Sequence, residues 1–375
     1  MKNPKTGILD FIRKNPKANI FCFVTNFILA LVFTITLGAR FGYDEIYEDV
    51  GRSDILAVFE GNVACPYTSL VPEKYIIAIK KIENVVDVAS EIRQRYSFTN
   101  HENLTLAGMD PEKLLNFKDI SIDEKEYESF KKDPYAAIVG RKIFRMYGWS
   151  LGEDIDAFGM RFKIAGVFEK PFSVYESMVF LHKDYLQQLT SKQDFTTSFL
   201  IKTDLKGSGE LKVLMSNVEE LFKNNPSKIV CRPEDELWKA IQASQGNLGD
   251  IISALGICLG VLLFIMNMNN AFLLLRHRFK VINELKNRGD KLKDVAKVIF
   301  VETAEILAFS GIMASVILYI ALFNHPFYVG KDMFHPPIFI NPTVLLIGVL
   351  ISLCSGVFAA LAIIPGTVKA YNHGG

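Results

Sequence analysis

The sequence predicts a membrane protein with four transmembrane α-helices and a large α+β extracytoplasmic domain. The first observation is a set of four apolar runs without a charged residue, at 20–39, 251–275, 306–323 and 341–367. Crossing a bilayer takes about 20 helical residues at roughly 1.5 Å each, so all four are long enough or nearly so. Because 22% of the chain is charged, such uninterrupted runs are not expected in a soluble domain.

The second observation is the uneven distribution of charge. Residues 42–249 contain 26 Lys and Arg against 33 Asp and Glu, a balance of −7, although the whole chain carries +1. The segment before the first apolar run and the segment 276–297 are both basic. Cytoplasmic loops of membrane proteins carry an excess of Lys and Arg, so these two segments are predicted to be cytoplasmic. Four spans then return the C-terminus to the same side and leave the acidic segment outside.

The first apolar run has the basic flank of a signal peptide but not its other features. Its apolar stretch exceeds the roughly 7–15 residues of a signal core, and no clear A-x-A site follows it before Arg40. We therefore predict an uncleaved membrane helix, with a cleaved signal peptide as the alternative.

The third observation is a repeated order of strand and helix patterns at the two ends of the outer segment. These patterns lie at 55–60, 72–82 and 85–93 and again at 196–203, 209–222 and 228–232. Two such βαβ-like units predict a split α+β layer, built from 52–102 and 194–232, with residues 103–193 as an inserted subdomain. Within the insert, the predicted strands are 104–108, 135–139, 154–157, 161–168 and 178–181, with one helix at 141–147.

Residues 233–249 are predicted to form a helical stalk between the outer domain and the second span. Leu237, Trp238 and Ile241 follow helical spacing towards the membrane. The alternative is an ordinary surface helix in which Trp238 is anchored at the membrane interface.

Small residues at intervals of four mark two candidate faces for helix packing. Closely approaching membrane helices use this spacing, either within one chain or between subunits. The candidates are Gly256 and Gly260 in the second span, and Ser352, Gly356 and Ala360 in the fourth. The nearby Asn267, Asn269 and Asn270 are predicted to form interhelical hydrogen bonds rather than a substrate site.

Cys65 and Cys231 both fall in the outer segment, where oxidation is permitted. Sequence alone leaves open whether they form a disulfide or remain free thiols. The other three cysteines lie inside apolar runs and are interpreted as small packing residues.

Motifs of catalysis and of nucleotide binding are missing from the sequence. It contains no GxxxxGK[ST] phosphate-binding loop, no HExxH and no Cys–His cluster with metal-ligand spacing. We therefore expect no catalytic, cofactor or metal site in this chain, and no nucleic acid as a partner. Glu302, near the start of the third span, is interpreted as an acid at the membrane boundary rather than as part of a proton relay.

A series of short motifs resembles permeases of the MacB/FtsX/LolC type. In the membrane part these are Ile265-Met266-Asn267, then Arg276-x-Arg278, a short helix that ends in Gly289, and Glu302. In the outer part they are AGMDPE at 107–112, IVGRK at 138–142, LGE at 151–153 and FKIAGVF at 162–168. Each motif alone is weak, but their order and the four-span topology together are specific and cover nearly the whole chain.

The resemblance implies an ABC transporter permease whose ATPase is a separate polypeptide that binds ATP and Mg²⁺. It also implies a second permease copy or a paralogue, contact with membrane lipid, and a location in the bacterial cytoplasmic (inner) membrane with both termini cytoplasmic. A cytoplasmic coupling segment would seat on the ATPase. By motif position that segment consists of Leu285, Lys286, Asn287, Arg288, Gly289, Asp290 and Lys291.

The predicted organisation begins with an amphipathic N-terminal segment and ends with a short cytoplasmic tail. Its consecutive segments are 1–18, the first helix 19–41, the outer domain 42–249, the second helix 250–275, the coupling segment 276–297, the third helix 298–324, an outer loop 325–340, the fourth helix 341–367 and the tail 368–375.

The preferred function is mechanotransmission, in which ATP hydrolysis by the partner drives conformational work of the outer domain. The work would export or extract a lipoprotein, a peptide or a small molecule, with an adaptor or lipoprotein as a possible partner outside. The alternative is an FtsX-like regulatory scaffold that activates a cell-wall hydrolase. Outer domains of that kind are usually smaller than the one predicted here.

Overall fold

The computed structural model describes residues 16–48, 50, 52, 54–63, 65–97, 103–157, 160–171, 173–224, 228–244, 247–323, 327–328 and 337–373. These residues divide into two compact units. The helical unit contains 16–41, 249–323 and 337–373, and the outer domain contains 42–248. Most of the predicted amphipathic segment 1–18 and of the predicted outer loop 325–340 lies outside the described residues.

The helices are numbered in chain order. They are α1 Pro16–Glu48, α2 Ile76–Ile79, α3 Pro111–Phe117, α4 Glu124–Lys132, α5 Arg141–Tyr147, α6 Lys183–Leu189, α7 Ser208–Leu221, α8 Glu234–Ser244, α9 Leu248–Asn287, α10 Leu292–Leu322, α11 Pro342–Ala362 and α12 Ile364–His373. Short 3₁₀ turns lie at Pro66–Thr68, Glu73–Tyr75 and Val174–Ser177.

The strands are numbered in the same way. They are β1 Ile55–Glu60, β2 Val71–Pro72, β3 Asp87–Ser97, β4 Asn103–Met109, β5 Ala136–Gly140, β6 Asp154–Ala157, β7 Met160–Phe168, β8 Met178–His182, β9 Phe195–Thr196, β10 Ser198–Lys202, β11 Ile229–Pro233, β12 Phe327–Tyr328 and β13 Pro337–Ile338.

The helical unit contains four segments that are long and apolar enough to cross a membrane. They are 17–47, 248–287, 292–322 and 342–372. The fourth is two helices, because α11 ends at Ala362 and α12 begins at Ile364. Pro365 explains the interruption, since proline has no amide hydrogen for the preceding turn and its ring crowds the carbonyl four residues earlier. The four-helix part of the predicted fold class is confirmed.

One nine-stranded mixed sheet, in the order β11-β1-β10-β3-β4-β8-β5-β7-β6, organises the outer domain. Its first four strands come from both ends of the outer segment. Strand β10 pairs antiparallel with β1 and with β3, and β1 lies between β10 and β11. The two βαβ units therefore interdigitate, with strand order 4-1-3-2 within this half, as in ferredoxin-like folds. The α+β part of the predicted fold class is confirmed.

Strands of the insert continue the same sheet instead of forming a separate layer. Strand β4 pairs antiparallel with β3 over Asn103–Met109 and parallel with β8 on its other side. Strand β5 then joins β8 to β7, and the β6–β7 hairpin closes this end of the sheet.

Helices cover both faces of the sheet. One face carries a single apolar core that runs along the sheet under α3, α4 and α8. The last turns of α1 also contribute, through Tyr43, Ile46 and Tyr47. The opposite face carries two smaller cores, one under α7 and one under α5 and α6. Since both faces are buried, strands such as β1 (ILAVFE) are nearly continuously apolar rather than alternating.

Three helices of the outer domain were not predicted from the sequence, and one was predicted too long. Helices α3, α4 and α6 are short, and only a helical turn, α2, occupies part of the predicted 72–82 helix. Two of the missed helices carry clear start signals. Asp110 caps α3 by accepting a hydrogen bond from the Glu112 amide, with Pro111 in the first turn, and Asp123 caps α4.

Candidate functional site

The turn between α9 and α10, residues 285–291, is the candidate site for coupling to an ATPase and is called the α9–α10 turn below. The Asp290 amide donates to the Leu285 carbonyl at 3.2 Å, and the Gly289 amide donates to the Lys286 carbonyl at 2.9 Å. This pair of bonds is a Schellman helix end, which needs a left-handed residue at its penultimate position. Gly289 supplies it with φ +85°.

The α9–α10 turn presents some of its predicted residues to solvent and others to the protein. Leu285 packs at the edge of an apolar cluster formed by α9, α10, α11 and α12. The Tyr371 hydroxyl donates to the Asp290 carbonyl at 2.9 Å, and Lys286 lies over the Tyr371 ring. The exposed members are Asn287, Arg288, Gly289 and Lys291. A partner that bound this turn would therefore contact a short cationic tip, which Tyr371 holds in place from the protein side.

The helix that carries this tip differs from the short separate helix implied by the resemblance. Helix α9 is continuous over its 40 residues, from Leu248 to Asn287. Residues 276–287 of the predicted coupling segment are thus an extension of the second membrane helix, and α10 begins at Leu292.

Two residues of the permease-like motifs, Arg278 and Glu302, are distant in sequence but lie close together near the base of the α9–α10 hairpin. Arg278 on α9 and Glu302 on α10 form an ion pair at 3.7 Å, and Arg278 is only 4% exposed. The interpretation of Glu302 as a boundary acid remains a prediction, but its side chain has a specific cationic neighbour.

Buried polar side chains link the membrane helices to one another. Asn267 on α9 donates to Ser355 on α11 at 2.8 Å, and Asn270 donates to Thr25 on α1 at 3.2 Å. Asn26 on α1 donates to the Leu307 carbonyl of α10 at 2.7 Å. The predicted interhelical hydrogen bonds are confirmed for Asn267 and Asn270, whereas Asn269 is exposed.

The two small-residue motifs occupy different environments within the helical unit. On α11, a Cβ added at Gly356 would lie 2.8 Å from the Ala308 amide nitrogen of α10, and Ser352 packs against Gly311. Ala360 is buried on the same helix. On α9, a Cβ at Gly256 would lie 3.8 Å from Thr36, and one at Gly260 would lie 3.4 Å from Phe33. The α11 motif therefore packs closely against α10, whereas the α9 motif packs loosely against α1.

The outer domain contains a fully buried set of four charges, called the charge network below. Lys118, at the end of α3, lies 2.9 Å from Glu234 on α8 and 3.3 Å from Glu91 on β3. Arg93 on β3 lies 2.7 Å from Glu91. Two cations and two carboxylates make the network neutral, and it joins α3, α8 and the sheet.

Aromatic rings enclose the charge network. The Arg93 guanidinium lies 4.4 Å from the centre of the Trp238 ring, and Lys118 lies 5.3 Å from that of Tyr175. Burial alone raises the pKa of Glu91, but the charges of Arg93 and Lys118 outweigh it and lower that pKa below its ordinary value. Burial likewise raises the pKa of the Tyr175 hydroxyl. Glu91 is therefore a carboxylate held in a dry site.

Two sequence-based alternatives in the outer domain are wrong. Cys65 and Cys231 are free thiols rather than a disulfide. Cys65 packs against the core beneath α8, and Cys231 belongs to the core beneath α7 on the opposite face of the sheet. Trp238 is fully buried in the core of the outer domain, so it is not a membrane-interface anchor.

These observations define the class of protein: a multi-pass membrane protein with four apolar helices and a mixed α/β domain in the segment between the first two. Comparison with protein families matches residues 25–210 to the MacB-like periplasmic core domain. Comparison with curated proteins gave no match.

Solved structures with similarity to the chain are extracytoplasmic domains of related types. The extracellular domain of the noncanonic ABC-type transporter YknZ from Gram-positive bacteria is 15% identical, with TM-score 0.37, over 48% of this chain and 98% of that one. The periplasmic region of MacB from Actinobacillus actinomycetemcomitans is 11% identical, with TM-score 0.39, over 52% and 94%. A domain of a putative permease from Porphyromonas gingivalis is 13% identical, with TM-score 0.32, over 48% and 90%.

The matched domain, residues 25–210, supports a MacB/FtsX-like ABC transporter permease. Permeases of this family are generally non-catalytic subunits.

Proposed function

We propose that this chain is the membrane subunit through which a separate ATPase does mechanical work on the outer domain. The observation that carries the proposal is the unbroken helix α9, 40 residues long. At about 1.5 Å per residue it extends roughly 60 Å, about twice the thickness of a hydrocarbon core. A single helix can therefore cross the membrane and still hold the α9–α10 turn beyond it.

The proposed path of motion runs along α9 and into the outer domain. At its cytoplasmic end, Ile282 is buried in the apolar cluster with Val295 and Ile299 of α10, so the two helices of the hairpin move together. At its other end, Leu248 packs against the main core of the outer domain. Only residues 245–247 separate α8 from α9 in the sequence.

The charge network joins α8 rigidly to α3 and β3, the elements that would receive the proposed motion. Glu234 is the first residue of α8, and Lys118 joins it to Glu91 on the central sheet. A displacement of α8 would be passed to α3 and β3 because a buried ion pair cannot separate without leaving a charge unpaired in a dry core.

The proposed partners follow from this arrangement. An ATPase subunit binds ATP and Mg²⁺ and seats on the α9–α10 turn, and a second permease copy or paralogue completes the pair. The chain lies in a bacterial cytoplasmic membrane with both termini inside, as its basic ends favour. The work is done outside, on a lipoprotein, peptide or small molecule, with an adaptor where the substrate requires one.

The test is charge reversal at the exposed tip, with Arg288→Glu compared with Lys369→Glu, an exposed lysine on α12. Purified permease and its ATPase are reconstituted in liposomes, and ATP hydrolysis and co-elution are measured. We expect Arg288→Glu to reduce hydrolysis to the level of the ATPase alone and Lys369→Glu to leave it unchanged. Normal coupling in the Arg288→Glu complex, or equal loss in both variants, would refute this site.

The FtsX-like scaffold shares the same coupling site and differs in what the outer domain acts on. Addition of a cell-wall hydrolase to the reconstituted complex separates the two functions. ATP-dependent activation of the hydrolase would show that the chain functions as a regulatory scaffold. ATP-dependent release of a lipoprotein or peptide would show that it functions in export.

A further inference from the structure

One face of α9, at the end of the apolar run 251–275 and just beyond it, carries an exposed stripe of aromatic and basic side chains. Phe272 and Phe279 are 48% and 36% exposed, and Arg276 and Lys280 are also exposed. Residues four, seven and eight positions apart lie on one side of a helix, so these four form a continuous stripe, called the Phe/Arg stripe below. The opposite side of the same turns is buried.

The other face of this segment explains why the stripe points away from the bundle. Leu275 and Ile282 belong to the apolar cluster with α10, α11 and α12, and Arg278 is paired with Glu302. Neither Arg276 nor Lys280 forms an ion pair with a residue that the structure describes. Two cations without an ion-pair partner in the described part of the chain are thus exposed on the same face as two phenyl rings.

Distance along the helix separates the Phe/Arg stripe from the α9–α10 turn. From Leu275, the last residue of the charge-free run, Arg276 is about 1.5 Å and Lys280 about 7.5 Å further along the axis, whereas Asn287 is about 18 Å further. The headgroup layer adds roughly 5–7 Å on each side of the hydrocarbon core. Phe272 therefore lies about 4.5 Å inside the edge of the hydrocarbon core, and Arg276 and Phe279 lie within the headgroup layer. Lys280 lies at the outer limit of that layer, and the turn falls beyond it.

The chemistry of the stripe fits that layer. Phenyl rings on helices at the membrane surface pack at the boundary between headgroups and acyl chains, and long Arg and Lys side chains extend their charged ends to phosphate groups. We propose that Phe272, Arg276, Phe279 and Lys280 form a binding site for anionic phospholipid headgroups of the cytoplasmic leaflet. This site rests on the membrane orientation of the proposed function, but not on the ATPase.

The basic segment is therefore divided by function. Its first two turns bind lipid and set the depth of α9 in the membrane, and its tip binds the ATPase. Each Lys or Arg near an anionic lipid headgroup favours that lipid electrostatically, so two of them give a selectivity that can be measured.

The experiment compares Arg276→Gln/Lys280→Gln with Lys291→Gln/Lys293→Gln, the tip variant, which removes the same charge from exposed positions at the tip and in the first turn of α10. Each full-length permease is reconstituted alone in phosphatidylcholine vesicles with trace spin-labelled phosphatidylglycerol or phosphatidylcholine. Electron spin resonance then gives the fraction of each lipid immobilised by the protein. We expect the preference for phosphatidylglycerol to fall by roughly fivefold or more in the stripe variant and to change little in the tip variant.

The proposal is overturned if the wild-type protein shows no preference for phosphatidylglycerol, or if the two variants lose it equally. It is also overturned if the stripe variant keeps its lipid preference but no longer binds the ATPase, since the stripe would then be part of the ATPase contact. Because the lipid measurement contains no ATPase and no nucleotide, it can fail while coupling through Arg288 succeeds, and the reverse also holds.

Discussion

The outer domain and the helical unit use charged residues in opposite ways. The outer domain buries two cations and two carboxylates in its main core, and each has an opposite charge within 3.3 Å. The helical unit displays Arg276, Lys280, Arg288 and Lys291 on its surface, and in its Arg278–Glu302 pair only Arg278 is buried. Buried pairing holds elements in one arrangement, whereas exposed charges remain available to partners. Substitutions in the two regions should therefore affect stability very differently.

The largest expected effect is that of Lys118→Met in the charge network. Removing this cation takes away the ion pair of Glu234 and one of the two ion pairs of Glu91, and breaking a buried pair costs about 3–5 kcal/mol. Urea unfolding of the detergent-solubilised chain, followed by tryptophan fluorescence, measures this loss. Both tryptophans, Trp149 and Trp238, lie in the outer domain.

The matched control is Lys113→Met on the same helix, α3. Lys113 pairs with Asp87, but both side chains are more than a quarter exposed, so its loss should cost at most about 1 kcal/mol. If the two variants unfolded at the same urea concentration, burial would not be what distinguishes the charges of the two regions.

The next effect concerns close packing in the helical unit, where Gly356→Ala is expected to destabilise the bundle by about 1–3 kcal/mol. The added methyl group would lie 2.8 Å from a backbone nitrogen of α10, which cannot move without shifting that helix. Gly256→Ala is the control because its methyl group would meet Thr36 at 3.8 Å, an ordinary contact. Unfolding in sodium dodecyl sulfate, followed by circular dichroism, measures both. Equal stability of the two variants would show that α10 and α11 are less tightly packed than described.

The smallest effect on stability is expected at the α9–α10 turn. Gly289→Ala places a Cβ in a left-handed conformation at φ +85°, which costs about 1–2 kcal/mol. Gly209→Ala, in helix α7 with open space around it, should be neutral or stabilising by up to about 1 kcal/mol. Thermal unfolding of the two variants against the wild type gives both values. If Gly209→Ala destabilised the protein and Gly289→Ala did not, the assigned helix end at Gly289 would be contradicted.

Much of the fold could be predicted because it depends on patterns that are local in the sequence. Charge-free runs of sufficient length identified the four membrane helices. Strands β1, β5 and β8 were predicted nearly residue for residue, since burial on both faces makes each of them a continuous apolar run. Helices α3, α4 and α6 were missed because seven to nine residues show too little helical periodicity, although Asp110-Pro111 was an available start signal.

The candidate site was only partly predictable. The α9–α10 turn was located by its motif, and Gly289 by its place at a helix end, but the sequence could not show that Leu285 faces inward or that Tyr371 secures the Asp290 carbonyl. The charge network had no sequence signal at all. Glu91, Lys118 and Glu234 are ordinary charged residues in their local segments, and only the sheet order brings them together.

The sequence by itself determined the number of membrane helices and the mixed α/β character of the outer domain, and the position of the α9–α10 turn came from its resemblance to a permease motif. The first two properties follow from helix length and strand burial, which are patterns among neighbouring residues. Tertiary structure decided that α9 is one continuous helix, that the insert extends the central sheet, that Cys65 and Cys231 lie on opposite faces, and that α8 is joined to the sheet by buried charges. Each of these depends on contacts between distant segments, whose energies arise only once the chain has folded.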